Sequence, residues 1–137
     1  MNGMMTALCL AILAPLVEAV EIQVLPGEKW WGGAGGSGEC QPYASGEASC
    51  RYDLRTAGHT SSPLLVSTRG RYIWSENPFA YQFTNGTLRI ESEEPLSPVV
   101  AGATLKEAYL AAWNAKESKK PVEKQKIIDL AAAQKTL

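Results

Sequence analysis

An Asn-Gly pair between two alternating segments constrains the fold more than any other feature of this 137-residue chain. The segments "FAYQFT" (residues 79–84) and "TLRIES" (residues 87–92) flank Asn85-Gly86. A type I′ turn needs a positive φ angle at both central residues, which Asn and Gly adopt most readily. The pattern predicts a tight β-hairpin. The aromatic residues on its shared face indicate core packing rather than a ligand site.

Other short apolar or alternating segments end at turn residues, and they predict further strands at 20–25, 50–55, 63–68 and 71–76. Residues 32–50 are rich in Gly, Ser and Ala and predict a long loop. After Pro98 the pattern changes, because Thr104 and Glu107 form a capping box. A helical stripe follows, formed by Leu105, Ala108, Tyr109 and Ala112. We expect a helix over 105–118 and a second one from Pro121. The prediction is a mainly β, β-sandwich-like domain of antiparallel hairpins at 20–102, followed by one or two α-helices at 103–137.

The N-terminal segment is typical of a signal peptide. Residues 4–17 form an apolar run that is too short to span a bilayer, and Val17-Glu18-Ala19 resembles a cleavage site. We therefore expect residues 1–19 to be removed from a secreted or periplasmic protein that has no membrane span after cleavage. No Lys or Arg precedes the run, and the alternative is a buried first strand or helix.

Two cysteines, Cys40 and Cys50, remain after such a cleavage. An even cysteine count in an exported chain favours a disulfide, and the alternative is a pair of free thiols. The spacing is not that of a zinc site, and the sequence contains one histidine, His59. No structural metal is therefore expected.

The charge and the acidic residues point away from several classes of function. A net charge of -1 gives no reason to expect nucleic acid as a partner. The acids at Glu91, Glu93 and Glu94 are typical of a solvated strand end, and His59 is typical of a surface residue. The sequence predicts no catalytic residue and no cofactor, because no pair of acids or triad is evident.

The stretch "KWWGGAGGSGE" (residues 29–39) contains a glycine pattern that formally matches the dinucleotide-binding fingerprint, at Gly33, Gly35 and Gly38. That fingerprint needs a helix directly after the glycines and an acid about 20 residues on. Here Pro42 and small polar residues follow, and no βαβ unit is evident. Nucleotide binding is therefore not expected.

Trp30 and Trp31, in the same stretch, are the best candidates for ligand contact. Neighbouring side chains of a strand point to opposite faces, so one ring can enter the core while the other faces the loop or solvent. Sugars offer apolar C–H faces to an exposed indole. The predicted ligand-binding residues are Trp30, Trp31, Gly32 and Gly33, and the alternative is that both rings pack against the glycine-rich segment.

Asn85-Gly86-Thr87 is also an N-glycosylation sequon, which makes Asn85 a candidate modification site. The turn alone is a sufficient explanation for these residues.

Several phrases occur in an order that resembles one known family. They are "LPGEKWWGG" (25–33), "QPY" (41–43), "YDLR" (52–55) and "SSPLLVSTRGRYIWSENPFAYQF" (61–83). They resemble the N-terminal β-sandwich region of bacterial glycoside hydrolase family 31, the α-glucosidase and α-xylosidase type. "GATLKEAYLAA" (102–112) resembles the segment that leads out of that sandwich.

The resemblance implies a carbohydrate-related role without activity in this chain alone. Members of that family carry two catalytic aspartates in a (β/α)8 barrel of about 250 residues, which is absent here. We therefore expect a β-sandwich fragment whose partners are a carbohydrate and the missing catalytic barrel. The alternatives are a stand-alone carbohydrate-binding or envelope-associated module and a small secreted structural domain.

Overall fold

The computed structural model describes residues 18–34, 40–44, 49–56 and 61–135, which form two antiparallel sheets and one helix. The elements follow in this order: β1 (Glu18–Gln23), β2 (Lys29–Ala34), β3 (Tyr43–Ala44), β4 (Cys50–Asp53), β5 (Ser61–Ser67), β6 (Arg71–Trp74), β7 (Ala80–Thr84), β8 (Thr87–Ser92), β9 (Val99–Val100) and α1 (Leu105–Lys135). Most of the predicted signal peptide lies outside the described residues. Its last two residues, Glu18 and Ala19, begin β1 and pair with β8.

The first sheet has the strand order β1-β8-β7-β4, and the second has the order β3-β2-β5-β6-β9. The predicted fold class, mainly β with C-terminal helix, is confirmed. The predicted loop at 32–50 is wrong at two places: β2 continues to Ala34, and β3 lies inside the loop. Backbone pairing with β5 and β2 forms these strands, although the residues lack strand periodicity.

The hairpin that joins β7 to β8 is confirmed. Asn85 has a φ of 49° and Gly86 a φ of 74°, and Thr84 pairs with Thr87 beside them. Both central residues thus have the positive φ of a type I′ turn. The inward face of this hairpin is buried, at Phe83, Leu88 and Ile90 among others.

The core between the two sheets is aromatic. Phe83 stacks on Tyr43 with ring centroids 4.7 Å apart, and Tyr81 meets Tyr43 edge to face at 5.6 Å. Aromatic pairs in these geometries stabilise a core beyond their buried area, by roughly 0.5 to 1.5 kcal/mol each. The rings come from both sheets, so the aromatic cluster holds the sandwich together.

One acidic side chain, Glu28, is buried beside this core. Its carboxylate accepts bonds from Trp30 Nε1 (3.0 Å), Ser67 Oγ (2.9 Å) and Arg71 Nε (2.9 Å). Arg71 Nη2 and the Leu25 backbone N–H donate to it as well. Because buried charges are stable only when paired and hydrogen-bonded, this set of donors fixes the start of β2 against β5 and β6.

Helix α1 begins at a capping box. The Glu107 backbone N–H donates to Thr104 Oγ1 (3.3 Å), and the Glu107 carboxylate accepts from the Ala103 backbone N–H. The helix predicted over 105–118 and the second one predicted from Pro121 are one bent helix that continues through this proline. A proline inside a helix removes one backbone hydrogen bond and is a common cause of bending.

The first half of α1 packs on the outer face of the second sheet, over β5 and β6. Ala108 and Ala112 are fully buried there, and their small side chains let the helix approach the strands closely. Further along, the described side chains from Lys124 to Gln134 are exposed. The second half of the helix therefore extends beyond the sandwich. In the part of the chain that the structure describes, no helix combines the length and apolarity needed to cross a membrane.

Candidate functional site

Strand β2 places its two tryptophans on opposite sides of the second sheet. Trp30 points into the core and is 0% exposed, whereas Trp31 lies opposite Val66 on the outer face and is 37% exposed. Both rings were predicted as ligand contacts, and this prediction is corrected for Trp30, whose indole lies entirely inside the core. Trp31 keeps the accessible surface that a ligand contact requires.

The end of β2 is irregular, because its register with β5 shifts between Gly32 and Ala34. Gly33, at the shift, has a φ of 76° and packs against the hydroxyl of Tyr81, where a Cβ atom would overlap that oxygen. Only glycine combines this φ with this close approach. Gly33 therefore serves the backbone at the irregular position, and it also borders the surface groove beside Trp31.

A chain of hydrogen bonds holds the irregular segment from the core side. Tyr43 donates to the Gly32 carbonyl (3.0 Å), so its oxygen accepts from the Tyr81 hydroxyl (2.7 Å). Tyr81 in turn accepts from the Ala34 backbone N–H (3.1 Å). Burial and the bond to Tyr43 raise the pKa of Tyr81, so this hydroxyl stays protonated and keeps donating. The network connects both sheets to the backbone beside Trp31.

Gln41 holds the same segment from the groove side. Its Oε1 accepts from the Gly32 backbone N–H (3.3 Å), and its Nε2 donates to the Ala34 carbonyl (3.4 Å). The side-chain amide of Gln41 thus makes two hydrogen bonds of the kind that the backbone of a neighbouring strand would make. The backbone of Gly32 and Ala34 is satisfied on both sides, which gives Trp31 a fixed support.

These residues border a surface groove of about 430 Å³ between β2, β5 and the start of α1, which we call the Trp31 groove. Trp31 and Tyr109 stand at its sides, and Leu64 and Val66 form an apolar floor between them. The complete lining comprises Trp31, Gly32, Gly33, Ala34, Gln41, Ser62, Leu64, Val66 and Tyr109. No carboxylate, imidazole, thiol or amine is among these residues, so the groove has the chemistry of a binding surface.

Two acidic residues elsewhere on the surface, Asp53 and Glu91, form ion pairs with arginines. Asp53 accepts two bonds from the Arg55 guanidinium (2.7 Å each), and these bonds lower the pKa of Asp53. Glu91 accepts from Arg51 (3.4 Å), which lowers the pKa of Glu91. A general acid at neutral pH needs a raised pKa, so neither carboxyl has the properties of one.

Two further candidate positions lie away from the groove floor. A disulfide joins Cys40 to Cys50, with their Cα atoms 6.5 Å apart, and so connects the residue before Gln41 to the first residue of β4. Asn85 is exposed at the tip of the β7–β8 turn. His59 lies outside the described residues. Among the residues that are described, no three metal-ligating side chains of His, Cys, Asp or Glu come together.

Sequence reasoning missed several residues of this site. Tyr109 was predicted on the buried stripe of the helix, but it is 48% exposed and forms one side of the Trp31 groove. Tyr81 was assigned to the core without its bond to β2, from which it is 47 residues away in sequence. Gln41 carried no local signal, because its partners are backbone groups of another strand.

Comparisons with known proteins add no family to this geometry. The chain matches no protein-family model, and a search of the curated proteins returned no match.

Proposed function

We propose that this chain is a non-catalytic, carbohydrate-contacting β-sandwich of the type found at the N-terminus of family 31 glycoside hydrolases. The observation that carries the proposal is the part-exposed Trp31 indole beside Tyr109, above an apolar floor. The role is accessory: the domain contacts sugar and leaves bond cleavage to a catalytic barrel domain.

The groove offers the groups that a neutral sugar ring requires. The apolar C–H face of a pyranose packs on the indole face, since aromatic side chains combine a large apolar surface with a defined geometry. Polar groups at the rim, on Gln41 and Ser62, are placed to exchange hydrogen bonds with sugar hydroxyls. The volume of about 430 Å³ is in the range of small-molecule sites.

Four of the five segments that carry the family resemblance contribute residues to this groove, which supports the proposal. Residues 25–33 supply Trp31, residues 41–43 supply Gln41 and Tyr43, and residues 61–83 supply the floor and Tyr81. Residues 102–112 supply Tyr109. Segments that are distant in sequence thus contribute to one surface, as a shared binding role would require.

The experiment is a calorimetric titration of the purified chain with short α-glucosides and α-xylosides. We expect weak binding, with a dissociation constant near 1 mM, and a loss of detectable heat in the Trp31→Ala variant. Leu25→Ala is the matched control, because Leu25 is also about 40% exposed and lies outside the groove. Absence of binding by the unmodified chain, or equal affinity in Trp31→Ala, would contradict the proposal.

A further inference from the structure

A second pocket lies further along α1 and shares one lining residue, Ser62, with the Trp31 groove. It has a volume of about 300 Å³ and lies between the helix and the adjoining ends of β5 and β6. We call it the lysine pocket, and its lining consists of Ser62, Pro63, Trp74, Ser75, Glu76, Lys116, Lys119 and Lys120. Its chemistry differs from that of the Trp31 groove, because three lysines of the helix line one side of it.

The three ammonium groups are not equally neutralised. Lys120 pairs with Glu117 on the helix (2.6 Å), and Lys119 Nζ lies 3.2 Å from Glu76. Within the described part of the chain, Lys116 has no carboxylate within ion-pair distance. The pocket therefore has one positive charge in excess, and Lys116 carries it.

The distribution of charge over the chain strengthens this local excess. The segment that forms α1 contains seven lysines against four acidic residues, whereas the rest of the chain contains six basic residues against ten acidic ones. Fields from many charges add, so the helix attracts an anion more strongly than the rest of the chain does.

The remaining groups of the pocket indicate what kind of anion fits. Lys119 Nζ lies 4.9 Å from the centre of the partly buried Trp74 ring, so a cation and an aromatic surface are adjacent. Ser62 and Ser75 add hydroxyls, and Glu76 adds an acceptor. Glu76 repels a compact dianion such as phosphate but accepts hydrogen bonds from hydroxyl groups.

We propose that the lysine pocket binds an acidic saccharide, a sugar that carries one carboxylate. The carboxylate lies between the ammonium groups of Lys116 and Lys119, and the ring hydroxyls face Ser62, Ser75 and Glu76. An apolar C–H face of the sugar meets the Trp74 edge of the pocket. This site is separate from the neutral-sugar groove and does not depend on the function proposed for Trp31.

The test is a calorimetric titration of the full chain with a short galacturonic acid oligomer, with a neutral α-glucan oligomer of equal length beside it. We expect the acidic oligomer to bind, and Lys116→Gln to weaken its binding about tenfold, as expected for the loss of one charge-assisted hydrogen bond. Lys106→Gln is the matched control, because Lys106 is an exposed lysine of the same helix outside the pocket. Trp31→Ala should leave this affinity unchanged, which separates the result from that of the neutral-sugar groove.

Several outcomes would overturn the inference. Equal affinities in Lys116→Gln and in the unmodified chain would mean that the pocket is not the site. If inorganic phosphate bound as tightly as the acidic oligomer, the pocket would be a general anion site and not a saccharide site. Lys116-dependent binding of single-stranded DNA or of anionic lipid vesicles, without binding of the oligomer, would assign another class of partner.

Discussion

At the scale of single residues, Glu28 shows how a buried charge is stabilised in this chain. Burial acts to raise the pKa of its carboxyl, but the bonds from Arg71, Leu25 and Ser67 outweigh burial and lower the pKa below its ordinary value. A carboxyl with a lowered pKa in the folded state stabilises the fold above its ordinary pKa. This contribution is lost as the pH falls through the folded-state pKa.

We expect Glu28→Gln to lower the free energy of unfolding at pH 7 by about 3 kcal/mol, because Arg71 then keeps a largely buried charge that the Glu28 carboxylate no longer neutralises. The deficit should shrink as the pH falls through the folded-state pKa of Glu28, since Glu28 of the unmodified chain then becomes neutral as well. Urea unfolding at several pH values measures both quantities. Glu94→Gln, at an exposed position, is the control and should change little. A deficit that stays constant at every pH down to acid unfolding would contradict this account.

Gly33 permits a second test at this scale, because Gly27 provides a close comparison. Both have a positive φ, but a Cβ atom at Gly27 would meet nothing within 4 Å, whereas one at Gly33 would overlap Tyr81. Gly27→Ala should cost about 1 to 2 kcal/mol, the penalty of the left-handed backbone alone. Gly33→Ala should cost more and should disrupt the Tyr81–Tyr43 bond. If urea unfolding gave equal losses of unfolding free energy for the two variants, the close approach of Gly33 to Tyr81 would have no effect on stability.

The residue scale also shows what sequence can predict about the candidate site. Strand alternation predicts that Trp30 and Trp31 face opposite ways, since this depends only on neighbouring positions. It does not say which ring is buried, because that depends on which face the first sheet covers. The roles of Tyr81 and Gln41 depend on contacts with a distant strand, and local pattern contains no information on them.

At the scale of elements, the hairpins follow from local sequence and helix docking does not. Asn85-Gly86 defines the β7–β8 turn through backbone preference alone. The capping box defines the start of α1 in the same way. By contrast, a helical stripe predicts which face of a helix is apolar, but not the surface against which that face packs. Tyr109 therefore lies at the groove, although its spacing suggested burial.

Helix docking depends on two small side chains, and this gives a test. We expect Ala108→Leu to cost about 1 to 3 kcal/mol, because the larger side chain has no space between α1 and the sheet. Ala132→Leu makes the same change at an exposed position of the helix and should alter stability by less than about 0.5 kcal/mol. Thermal unfolding compares the two. A similar effect of both substitutions would mean that the helix does not pack as described.

At the scale of the whole molecule, the sandwich architecture was predictable because many short strands with turn residues between them favour two packed sheets. The strand order was not, since β2 pairs with β5 across the 26 residues from 35 to 60, and β1 pairs with β8 across still more of the chain. Such pairings depend on the energy of the assembled core. The two short strands β3 and β9 exist only as additions to the edges of the second sheet.

The disulfide acts at this scale, because Cys40 precedes an edge strand of one sheet and Cys50 begins an edge strand of the other. We expect the double variant Cys40→Ser/Cys50→Ser to lose roughly 2 to 3 kcal/mol of stability through the larger entropy of its unfolded chain. Urea unfolding with and without reductant measures the loss. Reductant should destabilise the unmodified chain and leave the double variant unchanged, and an effect on both would assign the loss to another cause.

The opposite orientations of Trp30 and Trp31 have a spectroscopic consequence. In a variant with Trp74 and Trp113 replaced by Phe, the remaining indole fluorophores are the adjacent Trp30 and Trp31. One indole is then in an apolar environment and the other is in contact with water. Iodide in the buffer would quench Trp31 and leave Trp30 emitting at the shorter wavelength of an apolar environment. Unfolding would bring the emission maxima of the two tryptophans to the same wavelength. The two adjacent tryptophans can thus report separately on the surface of the groove, through Trp31, and on the integrity of the core, through Trp30.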